Sequence, residues 1–230
     1  MKACTQSPQQ PDILRVFQSK RETKAFYNKI SSVYDLLSDR SEAPVRKAAL
    51  QLLAATTGEL VLEVGFGTGH CLVALAKAVG PAGMVYGIDL SDKLVELARQ
   101  SLAREHLAPR TKLNCGDAMR LPYPDNSMDA VFMSFTLELF DSPEIPKVLK
   151  ACMRVLRPGG RIVVAGMTKK DARGFVFRAY EWSHRHFPNF VDCRPIYVQR
   201  AIEDAGFVVR KVVRMKIWVP VAIVLGKKAA

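Results

Sequence analysis

Two carboxylates and three glycines carry the chemistry that this chain is built to do. Gly65, Gly67 and Gly69 lie in the run Leu62-Glu63-Val64-Gly65-Phe66-Gly67-Thr68-Gly69. There an apolar strand enters a turn without side chains, and a ligand can rest against bare peptide groups. Asp89, in Ile88-Asp89-Leu90-Ser91, follows Gly69 by twenty residues. A carboxylate at that strand tip accepts hydrogen bonds from both hydroxyls of an unphosphorylated ribose. Asp117, in Cys115-Gly116-Asp117-Ala118, is placed to accept from an exocyclic amino group, while Ala118 offers its backbone N–H to a ring nitrogen. Each feature also has a plainer reading. The glycines could form an ordinary tight turn, Asp89 could merely help Ser91 cap the next helix, and Asp117 could be a turn aspartate.

What favours the chemical reading is the order of these stretches. Met128-Asp129-Ala130-Val131-Phe132 and Leu156-Arg157-Pro158-Gly159-Gly160 follow them, and each of the five begins or ends an expected strand. Together they outline the rim of one sheet, the place where an open α/β sheet holds a nucleoside. The dinucleotide fingerprint Gly-x-Gly-x-x-Gly fits poorly: its last glycine would fall on His70, and here it comes one residue early at Gly69. A nicotinamide cofactor is therefore disfavoured.

The elements that must position these residues follow from hydrophobic periodicity. Strands are expected at 60–64, 84–88, 112–115, around 128–132, and at 161–165, 208–216 and 218–225. Helices are expected at 69–79, 92–106 and 195–204, the last ended by Gly206. Ser91 reads as an N-cap. Two helical segments, 11–37 and 43–55, precede the sheet.

With these motifs in place, the chain resembles the class I S-adenosylmethionine-dependent methyltransferases, and more closely the ubiquinone/menaquinone biosynthesis methyltransferases. The resemblance runs from about Phe26 to the C-terminus. It implies an α/β fold: a Rossmann-like, doubly wound, seven-stranded sheet, mostly parallel with an antiparallel last strand and helices on both faces. It also implies that the loop from Glu63 through Gly65 and Gly67 to Gly69 underlies the methionine part of the cofactor. Asp89, with Leu90 beside it, would hold the ribose; Asp117 and Ala118 would hold the adenine; Ser134 would lie near the methionine moiety. Tyr27 and Tyr34 resemble lid residues of a lead-in helix, although a tyrosine on an apolar helical face can equally be core. After the fourth strand, Leu137-Glu138-Leu139-Phe140 stands where this branch often has a histidine-containing segment.

The chain has 230 residues, enough to bury a full core in one domain. Residues 1–12 read as a mobile tail and 13–230 as a single methyltransferase domain. Within it, 13–57 are N-terminal cap helices, 58–167 the cofactor-binding core, 168–194 a substrate cap insert, and 195–230 the last helix and closing hairpin. The five cysteines, Cys4, Cys71, Cys115, Cys152 and Cys193, are scattered. That pattern predicts reduced thiols and no metal site. The apolar run 217–225 is far shorter than the roughly 20 residues of a membrane span and contains Pro220, so it reads as a core strand. With no apolar leader, a cytoplasmic protein is expected.

The net charge of +12 is unevenly placed: +3 over 1–40, +1 over 41–167 and +8 over 168–230. The basic C-terminal part is interleaved with Phe175, Phe177, Tyr180, Trp182, Phe187 and Phe190. Such a surface suits an anionic membrane, nucleic acid or an acidic small molecule, or it is a solvated basic face. Ser134-Phe135-Thr136-Leu137 lacks the Asn/Asp-Pro-Pro-aromatic signature of enzymes that methylate base amino groups. Nucleic acid is therefore not expected, and a small lipophilic acceptor met at a membrane surface is. Quinone-ring C-methylation comes ahead of N-methylation of a phospholipid head group. A catalytic base is optional for in-line transfer of an already electrophilic methyl group, and His184 and His186 are the candidates. The alternative from another class is a cofactor-binding regulatory or interaction module without turnover.

Overall fold

A computed structural model of the chain describes residues 13–16, 18–170 and 193–229, and the side chains of all of these except 31–40. The strands are β1 (Leu60–Val64), β2 (Met84–Asp89), β3 (Thr111–Cys115), β4 (Met128–Ser134), β5 (Leu156–Met167), β6 (Val208–Lys216) and β7 (Pro220–Lys227). They form one sheet in the order β3-β2-β1-β4-β5-β7-β6. All neighbouring pairs from β3 to β5 are parallel. β7 runs antiparallel to both β5 and β6. β1, β4 and the second half of β5 are almost wholly buried, as a parallel sheet covered on both faces requires, while β3 at the edge is partly exposed. The doubly wound, seven-stranded expectation holds, including the antiparallel last strand.

The helices are α1 (Lys20–Leu53), α2 (His70–Val79), α3 (Asp92–Arg104), α4 (Ile145–Val155) and α5 (Val198–Asp204). Their apolar residues recur at three- and four-residue spacing and so face the sheet along one stripe. Cys71, Leu72, Leu75, Ala76 and Val79 of α2 and Val95, Ala98 and Leu102 of α3 pack on one face of the sheet with Val45, Ala49 and Leu53 of α1. Val148, Leu149, Cys152 and Val155 of α4 pack on the other face with Val198 and Ile202 of α5. Among the described residues no helix is long and apolar enough to cross a membrane, and most of the 217–225 run lies within β7.

Three expectations need correction. The two N-terminal helices are one, α1, which passes straight through Pro44. Proline suits a first turn, which makes a helix start near Ala43 attractive. Inside a helix it removes one backbone hydrogen bond, and the burial of Val45, Ala49 and Leu53 next to it offsets that loss. The helix begins with a capping box between Ser19 and Glu22, a Ser-x-x-Glu signature that the sequence carries. β5 starts at Leu156 rather than Arg161, because Leu156 already pairs with Met128 before a register shift. β7 begins at Pro220, so residues 217–219 form the turn between the last two strands.

Candidate active site

The strand order reverses between β1 and β4, and there the loops leaving the carboxyl ends of the parallel strands diverge. They line a cleft that opens to solvent. Tyr27, Gly65, Gly67, Asp89, Leu90, Asp117, Ala118 and Ser134 all line it. The sequence thus brings eight of its expected residues to one opening. Gly65 has φ +69°, and a Cβ there would fall 2.2 Å from Thr136 Cγ2. Thr136 Oγ1 donates to the Gly65 carbonyl at 3.1 Å. The space that a side chain at Gly65 would take is therefore filled by Thr136 of the loop after β4, which pins the glycine corner in place. In that loop Phe135 adopts φ +51°, an uncommon conformation for a bulky side chain, and it lines the same cleft.

Asp89 is 9% exposed. Its Oδ2 accepts from the Gly67 N–H at 3.0 Å and its Oδ1 from the Ser91 N–H at 3.0 Å. Burial pushes its carboxyl up to about 6 against the pull of those backbone donors. Ser91 caps α3 by itself, accepting from the Leu94 N–H at 3.1 Å. Asp89 braces that cap but does not supply it. A carboxylate accepts about four hydrogen bonds, and with the Leu90 N–H also donating toward it about one position remains for a ligand.

Asp117 does serve a turn: its Oδ1 accepts from the Met119 N–H at 3.0 Å. Its Oδ2 is engaged by Lys20 Nζ in a short ion pair. Lys20 Nζ also lies 3.6 Å from Glu144 Oε1. The first three turns of α1 are fastened over the cleft by residues four apart on one face. After Lys20 come Lys24, 2.7 Å from Asp92 Oδ2, and Asn28, whose Oδ1 accepts from Ser91 Oγ at 2.6 Å. Between them Thr23 and Tyr27 face the opening. The segment before α1 is tied down as well, because Arg15 Nη2 meets Asp141 Oδ2 at 2.6 Å and the Val16 N–H donates to Asp141 Oδ1.

A smaller recess lies across the glycine loop, lined by Glu42, Arg46, Glu63 and Ser134 among others. Glu63 Oε2 and Ser134 Oγ are buried there without a hydrogen-bond partner. Burial, then the charge of Asp89, holds the Glu63 carboxyl well above the ordinary range, with Arg46 opposing. A buried, unpartnered carboxyl oxygen is costly, and an ammonium group arriving in the recess would satisfy it. Glu42 and Arg46, 3.4 Å apart, were not anticipated; their spacing on the face of α1 beside Val45 and Ala49 is the signal that could have found them.

Gly69 is placed elsewhere. It caps α2 with φ +93°, and a Cβ there would stand 3.0 Å from the Ala98 Cβ. Its bareness lets α3 pack against the loop and does not clear the cleft. Glu63 faces the recess rather than the main cleft. His184 and His186 lie outside the described residues, as does the side chain of Tyr34. Among the described residues no group of three His, Cys, Asp or Glu could hold a metal ion. A second buried carboxyl went unforeseen: Glu138, with Oε1 accepting from the Met167 N–H at 3.0 Å and Oε2 unpartnered. Burial raises it to about 8. Arg194 donates beside it to the carbonyls of Glu138 and Phe140.

Residues 61–160 match a family model described as a methyltransferase domain. A demethylmenaquinone methyltransferase of Lactobacillus johnsonii is 32% identical over 175 residues, 74% of this chain and 70% of that protein. One of Staphylococcus aureus is 31% identical over 215 residues, 83% of this chain and 86% of that protein. A solved structure of a SAM-dependent methyltransferase from Aquifex aeolicus superposes with a TM-score of 0.65 at 26% identity, covering 86% of this chain and 97% of that one. Fold, rim and matches together define a class I S-adenosylmethionine-dependent methyltransferase. The chain belongs to the family of the demethylmenaquinone methyltransferases. The residues present fit the cofactor: the Asp89 carboxyl retains acceptor capacity at the cleft, and the orphaned Glu63 oxygen would answer an ammonium. The relatives named here are enzymes, so the reading as a module without turnover loses its support.

Proposed function

We propose that this enzyme methylates a ring carbon of a lipophilic, quinol-type acceptor. The observation that carries the reading is the likeness to demethylmenaquinone methyltransferases, 31–36% identical over two thirds or more of this chain. S-adenosylmethionine supplies an electrophilic methyl group on a sulfonium, so the protein's task is alignment and exclusion of water. Asp89 accepts from the ribose hydroxyls, with Leu90 against the sugar. Asp117 takes the adenine amino group once Lys20 has turned to Glu144, and the Ala118 N–H meets a ring nitrogen. Glu63 receives the ammonium, Ser134 and the backbone at Gly65 and Gly67 border the methionine tail, and Tyr27 and Tyr34 close the lid. Phe135, Leu139 and Phe140, all on the cleft wall, give an apolar ring its dry seat. His184 and His186 are the proposed bases that would draw the proton from a ring hydroxyl. The enzyme would work in the cytoplasm on an acceptor held at the inner membrane face.

Incubation of the purified protein with radiolabelled S-adenosylmethionine and a bacterial lipid extract tests this. Label recovered in a quinone supports the proposal. Label in a phospholipid, or none, overturns it.

A further inference from the structure

The last strands carry a charge pattern that cofactor binding does not need. After Asp204 the chain contains no acidic residue and six Lys or Arg. β6 is an edge strand, and its Arg210, Lys211, Arg214 and Lys216 are exposed. An edge strand guarded by cations avoids pairing with other chains, which accounts for Arg210 and Lys211 midway along it. It does not account for the β6–β7 turn. Trp218 at its tip is 45% exposed, one of two exposed large apolar side chains among the described residues.

Topology puts that turn at the active-site rim. β7 is antiparallel to β5, Lys216 pairs with Pro220 and Met167 pairs with Val221. The turn therefore lies beyond the carboxyl ends of the parallel strands, as the cleft does. It stands three strand spacings, about 14 Å, from the switch point between β1 and β4. The Thr168 N–H donates to the Pro220 carbonyl at 3.0 Å, so Lys169 and Lys170 leave β5 at the same end of the sheet as the turn. On the α5 side, Lys170 and Arg214 share a groove with Arg200, Glu203 and Asp204. Arg200 lies 3.7 Å from Asp204, so this wall too is positive on balance.

We propose that the β6–β7 turn is a docking element for an anionic bilayer, with Trp218 at headgroup depth and Lys169, Lys170, Arg214 and Lys216 meeting the lipid charges. This rests on the reading that the acceptor is lipophilic, because the turn then sets the cleft mouth against the surface from which the acceptor is drawn. An indole is amphipathic and settles at the interface. Each cation near an anionic surface strengthens binding about fivefold. The charge complementarity and an exposed tryptophan at the turn favour a bilayer over nucleic acid.

The test is sedimentation of the full chain with phosphatidylcholine vesicles, with and without phosphatidylglycerol, across a salt series. The expected result is binding that requires phosphatidylglycerol and weakens with salt. Lys216→Glu should lower it about tenfold or more, since one cation is lost and one anion gained, and Trp218→Ser should lower it independently. Both variants should keep the wild-type melting temperature and cofactor affinity. Equal binding by wild type and the double variant, no preference for phosphatidylglycerol, or binding to an oligonucleotide in place of vesicles would overturn the proposal. Methyl transfer to a detergent-dispersed quinol separates the two readings. Transfer without vesicle binding removes the docking element alone, and salt-sensitive docking through Trp218 without transfer removes the acceptor alone.

Discussion

Asp89 makes the cofactor site sensitive to pH in a way the structure lets one compute. Its carboxyl is raised by burial from 3.8 to about 6. In the native protein without cofactor, half of the molecules therefore carry a proton there near pH 6. Ribose hydroxyls donate best to the ionised form, so binding should pull the carboxyl back toward its ordinary range. A return to about 4 corresponds to about 3 kcal/mol. Cofactor affinity should accordingly fall about 50-fold as pH drops from 7 to 4, and binding at pH 5 should release about 0.8 proton. The effect on stability has the opposite sign. The native state binds this proton more tightly than the unfolded chain, so the contribution is fully present below about pH 4 and lost as pH rises through 6. Calorimetry in buffers of different ionisation enthalpy measures the proton release directly. Asp89→Asn should lose roughly 1.5–3 kcal/mol of cofactor affinity at pH 7.5 and converge with wild type at acid pH. Its NH2 must face either the Gly67 or the Ser91 N–H, so a melting curve has to accompany it. Glu63→Gln serves as the control, because a proton that leaves Glu63 persists in the Asp89 variant. Parallel pH profiles for wild type and Asp89→Asn, or unchanged proton release, would refute the reasoning.

Three further outcomes follow from the same geometry. Lys20→Met frees Asp117 for the adenine, and because the displaced ion pair is partly exposed the gain is modest: cofactor affinity should rise up to about fivefold and lose most of its salt dependence, as titration calorimetry would read. Glu138→Gln replaces a buried carboxyl raised to about 8; the variant should unfold at higher denaturant than wild type by about 3 kcal/mol at pH 7 and show no gain at pH 4, and a loss at both would overturn the account. Arg161→Ala removes both 2.8 Å bonds to Glu59 and the donors to the Leu53 and Ala54 carbonyls that end α1; a loss of about 3 kcal/mol should lower the melting temperature with little change in cofactor affinity.

How much of this was legible in the sequence depends on how far apart the partners lie. A strand followed by a bare turn is a local pattern, so β1, the glycine corner and the strand-tip acids Asp89 and Asp117 could be placed from spacing alone. Gly69 shows the limit even there. A missing Cβ clears space for whatever approaches, and the residue does not say whether that is a ligand or, as here, Ala98 of α3. Long-range pairings leave no local trace: Lys20 meets Asp117 across 97 positions and Arg194 meets Glu138 across 56. The first of these changes the chemistry, because the acid read as an adenine acceptor is already neutralised by the lid. That 11–37 and 43–55 join into the one helix α1 is not visible locally either, because Pro44 has a local cost while the packing of Val45, Ala49 and Leu53 that offsets it is tertiary. That single helix matters to the site. It places Lys20 and Tyr27 over the cleft and Arg46 in the recess beside Glu63. Its N-terminal half is held there by ion pairs and a part-buried hydrogen bond, which a ligand can replace, whereas its C-terminal half is held by the buried Val45, Ala49 and Leu53 stripe, which it cannot.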